Sequence, residues 1–189
     1  MQDDGRKTET KMVPTGEQTI ITPKIQEVVD NIPGEGPTLI KNISDYIKTM
    51  GAVQGSREPN FRRTADEIIK DYKYDGCNEA GIVFVTLLRA KGKPATYIEA
   101  LNRKVLENYS HQNPNLVAHI FIETEIDGQK RFVNSTTGEI TDQIPTTHIE
   151  AARGLDSWDI GLKEGFADLQ RLFEEKHGMK ELKIVSQEK

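Results

Sequence analysis

Cysteine is almost absent from this chain of 189 residues, which holds a single one, Cys77. One thiol cannot close an internal disulfide, so the fold has no covalent staple, and its oxidation state fits any compartment. Long apolar runs are missing as well. No stretch approaches the roughly 20 apolar residues that a spanning helix needs, so no integral membrane segment is expected. The first residues, Met1-Gln2-Asp3-Asp4-Gly5-Arg6-Lys7, hold no apolar core of a signal peptide, which favours a cytoplasmic location. Export remains compatible with this start if a presequence is trimmed ahead of it. Basic residues are outnumbered, 25 Lys and Arg against 30 Asp and Glu, for a net charge of -5. With no basic stripe, a nucleic-acid partner is not expected. Histidine is sparse: the four residues His111, His119, His148 and His177 are scattered. Together with one cysteine they give no close-spaced ligand pair, so neither a metal nor another cofactor is expected.

What remains suits one globular domain, with 35% hydrophobic and 29% charged residues. Residues 1–18 are polar, lack periodicity and read as a flexible N-terminal tail ahead of a single domain over 19–189. Thr22 and Pro23 open a helix with Ile25, Val28, Val29 and Ile32 on one face. Thr38 caps a second helix with a stripe of Leu39, Ile40, Ile43, Ile47 and Met50. Thr64-Ala65-Asp66-Glu67 is a capping box, whose helix delivers the chain to Asp75-Gly76-Cys77. The run from Ile82 to Leu88 is apolar on nearly every side, which predicts a buried helix stopped by Gly92. Beyond Pro94 the pattern changes. Residues 95–101 and 116–126 read as strands, with a polar loop at 102–115 between them. Asp127-Gly128 predicts a tight hairpin, and Arg131-Phe132-Val133-Asn134 the returning strand. Residues 135–160 read as irregular, and a last amphipathic helix is expected over about 161–177. The order of helices, then antiparallel strands, then a helix predicts an α+β fold.

The chemistry centres on Cys77. A thiol in the first turn of a helix meets unsatisfied N–H groups and the positive end of the dipole, which favour the thiolate. A cysteine nucleophile also needs a base within hydrogen-bond reach and a group to orient that base. Of the four histidines, only His119 lies inside a predicted strand. With Asp127 and Gly128 as the central turn residues, Ile126 faces Gln129 and Phe121 faces Asn134. Asn134 is then the diagonal same-face neighbour of His119, with Cβ atoms at most ~7–8 Å apart. Cys77, His119 and Asn134 have the residue types and placement of a Cys-His-Asn triad.

The blocks Gly76-Cys77-Asn78-Glu79-Ala80, Leu87-Leu88-Arg89-Ala90-Lys91-Gly92-Lys93-Pro94-Ala95, His119-Ile120-Phe121-Ile122-Glu123 and Arg131-Phe132-Val133-Asn134 resemble the transglutaminase-like core, a distantly papain-like superfamily. The resemblance covers roughly residues 64 to 140. It implies that the Cys77 helix packs on an antiparallel sheet bearing His119 and Asn134. It also implies acyl transfer at a carboxamide of a peptide or protein substrate: Cys77 forms a thioester while His119 takes and returns the proton. Water as second nucleophile makes a peptidase or amidase; a lysine amine makes a protein-crosslinking transglutaminase. The family's third position is usually aspartate, where this chain has Asn134, and tryptophan often stands where it has Phe121. One oxyanion donor is expected to be the Cys77 N–H, and Tyr72 or Tyr74 are candidates for the second.

Each residue also has a plainer reading. A lone cysteine ahead of an apolar helix is commonly a core residue, His119 suits a satisfied core histidine, and Asn134 suits a strand end. Glu79 reads as a favourable charge at the helix start, Arg89 and Lys91 as surface or ion-pair residues, and Trp158 as packing under the last helix. A non-catalytic peptide-binding module on the same fold therefore stands beside the enzyme reading.

Overall fold

The computed structural model describes residues 13–53, 61–107 and 116–185, with side chains as far as Glu175. His111, the side chain of His177 and most of the expected tail lie outside the described residues. A 3-10 turn at Glu17–Thr19 leads to α1 (Pro23–Asp30), α2 (Gly36–Thr49), the two-residue β1 (Gly51–Ala52), α3 (Ala65–Asp71) and β2 (Lys73–Tyr74). Then follow α4 (Gly76–Ala90), β3 (Ala95–Asn102), α5 (Arg103–Leu106), β4 (Ala118–Ile126), β5 (Gln129–Asn134), β6 (Ile140–Thr141), β7 (His148–Gly154) and α6 (Phe166–Val185). The five longer-range strands form one antiparallel sheet in the order β6-β5-β4-β3-β7, so the fold is α+β. No described helix is long and apolar enough to cross a membrane.

Several starts and stops follow from local chemistry. The Thr22 hydroxyl accepts from Ile25 N–H with Pro23 at the first helical position, and Thr64 and Glu67 close the predicted capping box. Asp127 and Gly128 both have positive φ (52° and 74°), so the hairpin takes the primed turn that matches strand twist. Ile126 pairs with Gln129 and Phe121 with Asn134, the register predicted from the turn.

Helix α4 is the centre of the molecule. Twelve of its 15 residues, Asn78 to Arg89, are buried. It lies between α1–α3 on one side and the Tyr97, Ile120, Ile122 and Val133 face of the sheet on the other. Gly81 allows the close approach, because a Cβ there would sit 2.5 Å from Ile120 Cγ2 and 3.2 Å from Tyr97 Cε2.

The structure corrects five expectations. Helix α2 begins at Gly36 with Glu35 as N-cap, ahead of Thr38, because Pro37 fits the first turn. The tail does not extend to residue 18: Gln18 is buried, with its N–H on Asp156 Oδ2 (2.9 Å) and its amide on Phe61 O (2.9 Å) and Arg63 O (3.0 Å). Arg89 is buried rather than on the surface, donating from Nε and Nη2 to Ala95 O (3.1 and 2.7 Å) and from Nη1 to Thr19 Oγ1 (2.8 Å). Burial lowers its pKa to about 10. Residues 148–154, expected to be irregular, form β7 against β3. Helix α6 starts at Phe166 and runs past Gly178, with Asp168 capping the turn before it by accepting from Lys163 and Glu164 N–H. Trp158 donates to Phe61 O (2.5 Å) and so ties residue 61 to the segment after β7.

Candidate active site

The start of α4 is held from several directions. Gly76 has φ 65°, a left-handed conformation that a side chain would strain. Glu79, which is 1% exposed, binds the Arg63 guanidinium through both oxygens and accepts from Asp75 N–H (2.6 Å). Arg63 also donates to Asp71 Oδ2 (3.0 Å) and Lys73 O (3.1 Å). Glu79 is thus a fully compensated buried carboxylate that fixes the turn carrying Cys77, more than a helix-start charge. On the other side, Ser135 Oγ donates to Cys77 O (3.2 Å), tying the turn to the end of β5.

The half-buried Cys77 sulfur completes an open position in the sheet. Residues 118 and 120 of β4 face the β5 side, as Ser135 N–H on Ile120 O (3.2 Å) shows. Past Ser135 this edge of β4 has no further strand partner among the described residues, and the thiol lies against it. The Cys77 thiol donates to Ala118 O (3.8 Å), while the N–H groups of Ile120, Cys77 and Asn78 favour its anion. Its main-chain partners on β4 therefore flank His119. The expectation that the helix terminus would make Cys77 a ready thiolate does not hold. The donors act in the predicted direction, but burial first and the nearby Glu99 second outweigh them, and the thiol is pushed up to about 12.

His119 projects on the sheet face away from α4, with Phe121 and Ala100. Its Nε2 is 2.9 Å from Asn134 Oδ1, the diagonal contact that the hairpin register predicts. That oxygen also accepts from Thr136 N–H (3.0 Å), Thr136 Oγ1 (2.9 Å) and Thr137 N–H (3.2 Å). Backbone donors can only meet an acceptor, so the amide orientation is fixed, and the ring must donate from Nε2. Nδ1 is left with its lone pair and no hydrogen-bond partner among the described residues. Burial lowers the His119 pKa and the Asn134 bond partly restores it, so the ring is neutral near pH 7.

Sequence reasoning missed two neighbours. His148, on β7, has its ring 6.1 Å from that of His119 and 5.4 Å from Phe121, and its pKa is lowered by burial and by His119. Its segment lacks the β-branched alternation that marks a strand, so nothing in the sequence brought it to the site. Glu99, on β3, is 1% exposed and has Tyr97 Oη at 3.4 Å; burial raises its pKa to about 8. The alternation in Tyr97-Ile98-Glu99-Ala100 places both residues on the α4 face. Tyr72 does not reach the site, since its hydroxyl bonds Thr49 Oγ1 (2.6 Å) and its ring meets Tyr46. A cavity of about 370 Å³ lies at the far end of α4, lined by Leu39, Leu88 and Ile126 and by the charged Glu35, Lys93 and Asp127, with no cysteine, serine or histidine in its lining.

No family model and no curated protein sequence matches the chain. Among solved structures, the chain is similar to a Cytophaga hutchinsonii protein described as a "putative cysteine protease", at 21% identity and a TM-score of 0.52. The similarity covers 74% of this chain and 44% of that protein, so the chain spans under half of its relative's length. The shared feature is a distant cysteine-protease-like fold.

Proposed function

We propose that this protein is a transglutaminase-like, papain-like cysteine hydrolase that cleaves peptide or amide bonds through a thioester. Cys77 is the nucleophile, His119 the general base and acid, and Asn134 the residue that orients the ring. The observation that carries the reading is the fixed tautomer: Nε2–H is committed to Asn134, which leaves Nδ1 as a base at the strand position flanked by the thiol's two β4 partners. In this reading the resting groups are a neutral thiol and a neutral imidazole. Among the described residues no hydrogen bond joins Cys77 to His119; their partners are Ala118 O and Asn134 Oδ1 respectively, so the two meet during the reaction. Nδ1 takes the thiol proton as the sulfur attacks the carbonyl carbon, and the resulting imidazolium returns it to the leaving amine. Water then attacks the thioester with His119 again as base, releasing the acid and restoring the thiol. The Cys77 N–H at the helix terminus is a donor for the oxyanion.

The test is mass-spectrometric detection of cleavage in a peptide library, with the wild type, Cys77→Ala and His119→Ala, repeated with a primary amine added. Cleavage lost in both variants, with a thioester adduct trapped on Cys77, supports the hydrolase; amine incorporation selects the transglutaminase variant. One observation favours the alternative of a non-catalytic peptide-binding module, namely the burial that pushes the Cys77 thiol up. Turnover absent, with iodoacetamide reactivity of Cys77 indifferent to His119→Ala, overturns the enzyme in favour of that module.

A further inference from the structure

Two carboxyl groups near the start of α4 are equally buried and treated in opposite ways. Glu79 and Glu99 are each 1% exposed. Glu79 receives a guanidinium on both oxygens and a backbone N–H. Among the described residues Glu99 receives one phenol, Tyr97 Oη, at the long distance of 3.4 Å, and no cation. A carboxylate removed from water without compensation costs several kcal/mol, roughly, and such a group takes up a proton instead. Glu99 is held there by the sheet: in register it pairs with Ile120, whose N–H is directed at the Cys77 sulfur. Tyr97, two residues away on the same face, belongs to the core cluster against which Cys77 packs.

We infer that Glu99 is a positioning residue for the Cys77 reaction: its neutral carboxyl permits the thiolate, and its carboxylate opposes it. The inference rests on the proposed role of Cys77 as nucleophile. Sulfur and carboxylate are like charges in one poorly solvated space, so the first to ionise disfavours the second. The other ionisable groups around Glu99 do not cancel this. On α4, Cys77 is itself the affected group and Glu79 is already matched by Arg63. On β3, Tyr97 is a buried phenol, and Asp156, beyond β7, adds further negative charge toward it. The β4 and β7 residues paired with Glu99 are the uncharged Ile120 and Ala152. Burial brings the ionisation of Glu99 to about 8, inside the range where a thiol-dependent reaction runs. The consequence is an alkaline brake: as pH rises through that value, the nucleophile becomes harder to form rather than easier.

The experiment is the pH profile of Cys77 alkylation by iodoacetamide in the full chain, for the wild type, Glu99→Gln, Tyr97→Phe and His119→Ala, with folding checked by circular dichroism. Glutamine keeps the shape and abolishes the charge, so above about pH 8 the Glu99→Gln rate should exceed the wild type by roughly tenfold. Tyr97→Phe removes the bond that favours the carboxylate, so the brake should move to higher pH, opposite to a general loosening of the site. A carbon-13 titration of the Glu99 carboxyl locates the ionisation directly. Superimposable wild-type and Glu99→Gln profiles, or a carboxyl titrating in the ordinary range near pH 4.5, overturn the inference. If only His119→Ala changes the profile, the hydrolase reading stands without the brake. If Glu99→Gln changes it while His119→Ala does not, the brake stands and the catalytic pairing falls. Should Glu99→Gln fail to fold, Tyr97→Phe and the carboxyl titration decide.

Discussion

Replacing Asn134 by aspartate changes the charge beside His119 while leaving the geometry intact. Asn134 Oδ1 accepts from His119 Nε2, Thr136 N–H, Thr136 Oγ1 and Thr137 N–H. A carboxylate oxygen accepts from the same donors, so the turn after β5 and the ring orientation should survive. The imidazolium and the new carboxylate would have charge centres roughly 4 Å apart, an attraction of about 4 kcal/mol at an effective dielectric constant near 20. Both groups are only partly buried, and water screening together with desolvation of the carboxylate takes back about half of this. The remainder is a rise of about 1–2 units in the His119 pKa. Burial now holds that pKa below 6.5. Asn134→Asp should therefore return it to the ordinary histidine range or above, measured by NMR titration of the ring Cε1–H, with His119→Gln for assignment. Alkylation of Cys77 near neutral pH should rise about tenfold in the same variant, because the ring then holds the thiol proton more firmly. A folded Asn134→Asp protein whose His119 titration does not move would refute the contact and the role drawn from it.

Removing Arg63 leaves the Glu79 carboxylate buried with one backbone donor. With 22% of the Arg63 side chain exposed, Arg63→Ala should destabilise by about 3 kcal/mol in a urea melt, and a loss under 1 kcal/mol would contradict the compensation described. Gly81→Ala places a methyl 2.5 Å from Ile120 Cγ2 and should cost about 1–3 kcal/mol, visible as a lowered denaturation midpoint. Stability against pH gives a third check. The Glu99 pKa is raised by folding, so the native state keeps a proton that the unfolded chain has lost. The stability this contributes is complete below about pH 4.5 and drains as pH rises through about 8. Relative to the wild type, Glu99→Gln should gain on the order of 4 kcal/mol between pH 5 and pH 8, and a constant difference across that range would contradict a neutral buried carboxyl.

The parts of the fold legible in the sequence are those where one local rule sufficed. The Thr22 and Thr64 caps, the Asp127-Gly128 turn and the apolar run of α4 each depend on residues within a few positions. The strand period of 2 then carried the register from the turn to the His119–Asn134 contact. What stayed hidden depends on partners far along the chain. Residues 148–154 become a strand because β3 offers an edge, although His-Ile-Glu-Ala-Ala-Arg-Gly shows little β preference. Arg89 looks like a surface cation until Ala95 O and Thr19 Oγ1 surround it. At the site, the residue types of the triad could be read, but the state of the thiol could not. Helix-terminal donors are local, whereas the burial and the Glu99 carboxyl that outweigh them come with the sheet.

Gln18 also bears on the order in which the domain is made. Its N–H binds Asp156, and its Oε1 accepts from Ser157 N–H (3.1 Å), Ser157 Oγ (2.6 Å) and Trp158 N–H (3.3 Å), residues 138 to 140 positions downstream. Its Nε2 meanwhile holds Phe61 and Arg63, the latter being the residue that anchors Glu79. At synthesis rates of about 5–20 residues per second, the amino-terminal segment waits roughly 7–28 s before its partners exist. During that interval α1 to α4 can gather, while the clasp that ties them to the segment after β7 stays open. It therefore closes late, after the chain has paid its largest loop-closure entropy. Substitutions at Gln18, Asp156 or Ser157 should accordingly speed unfolding and leave the refolding rate nearly unchanged.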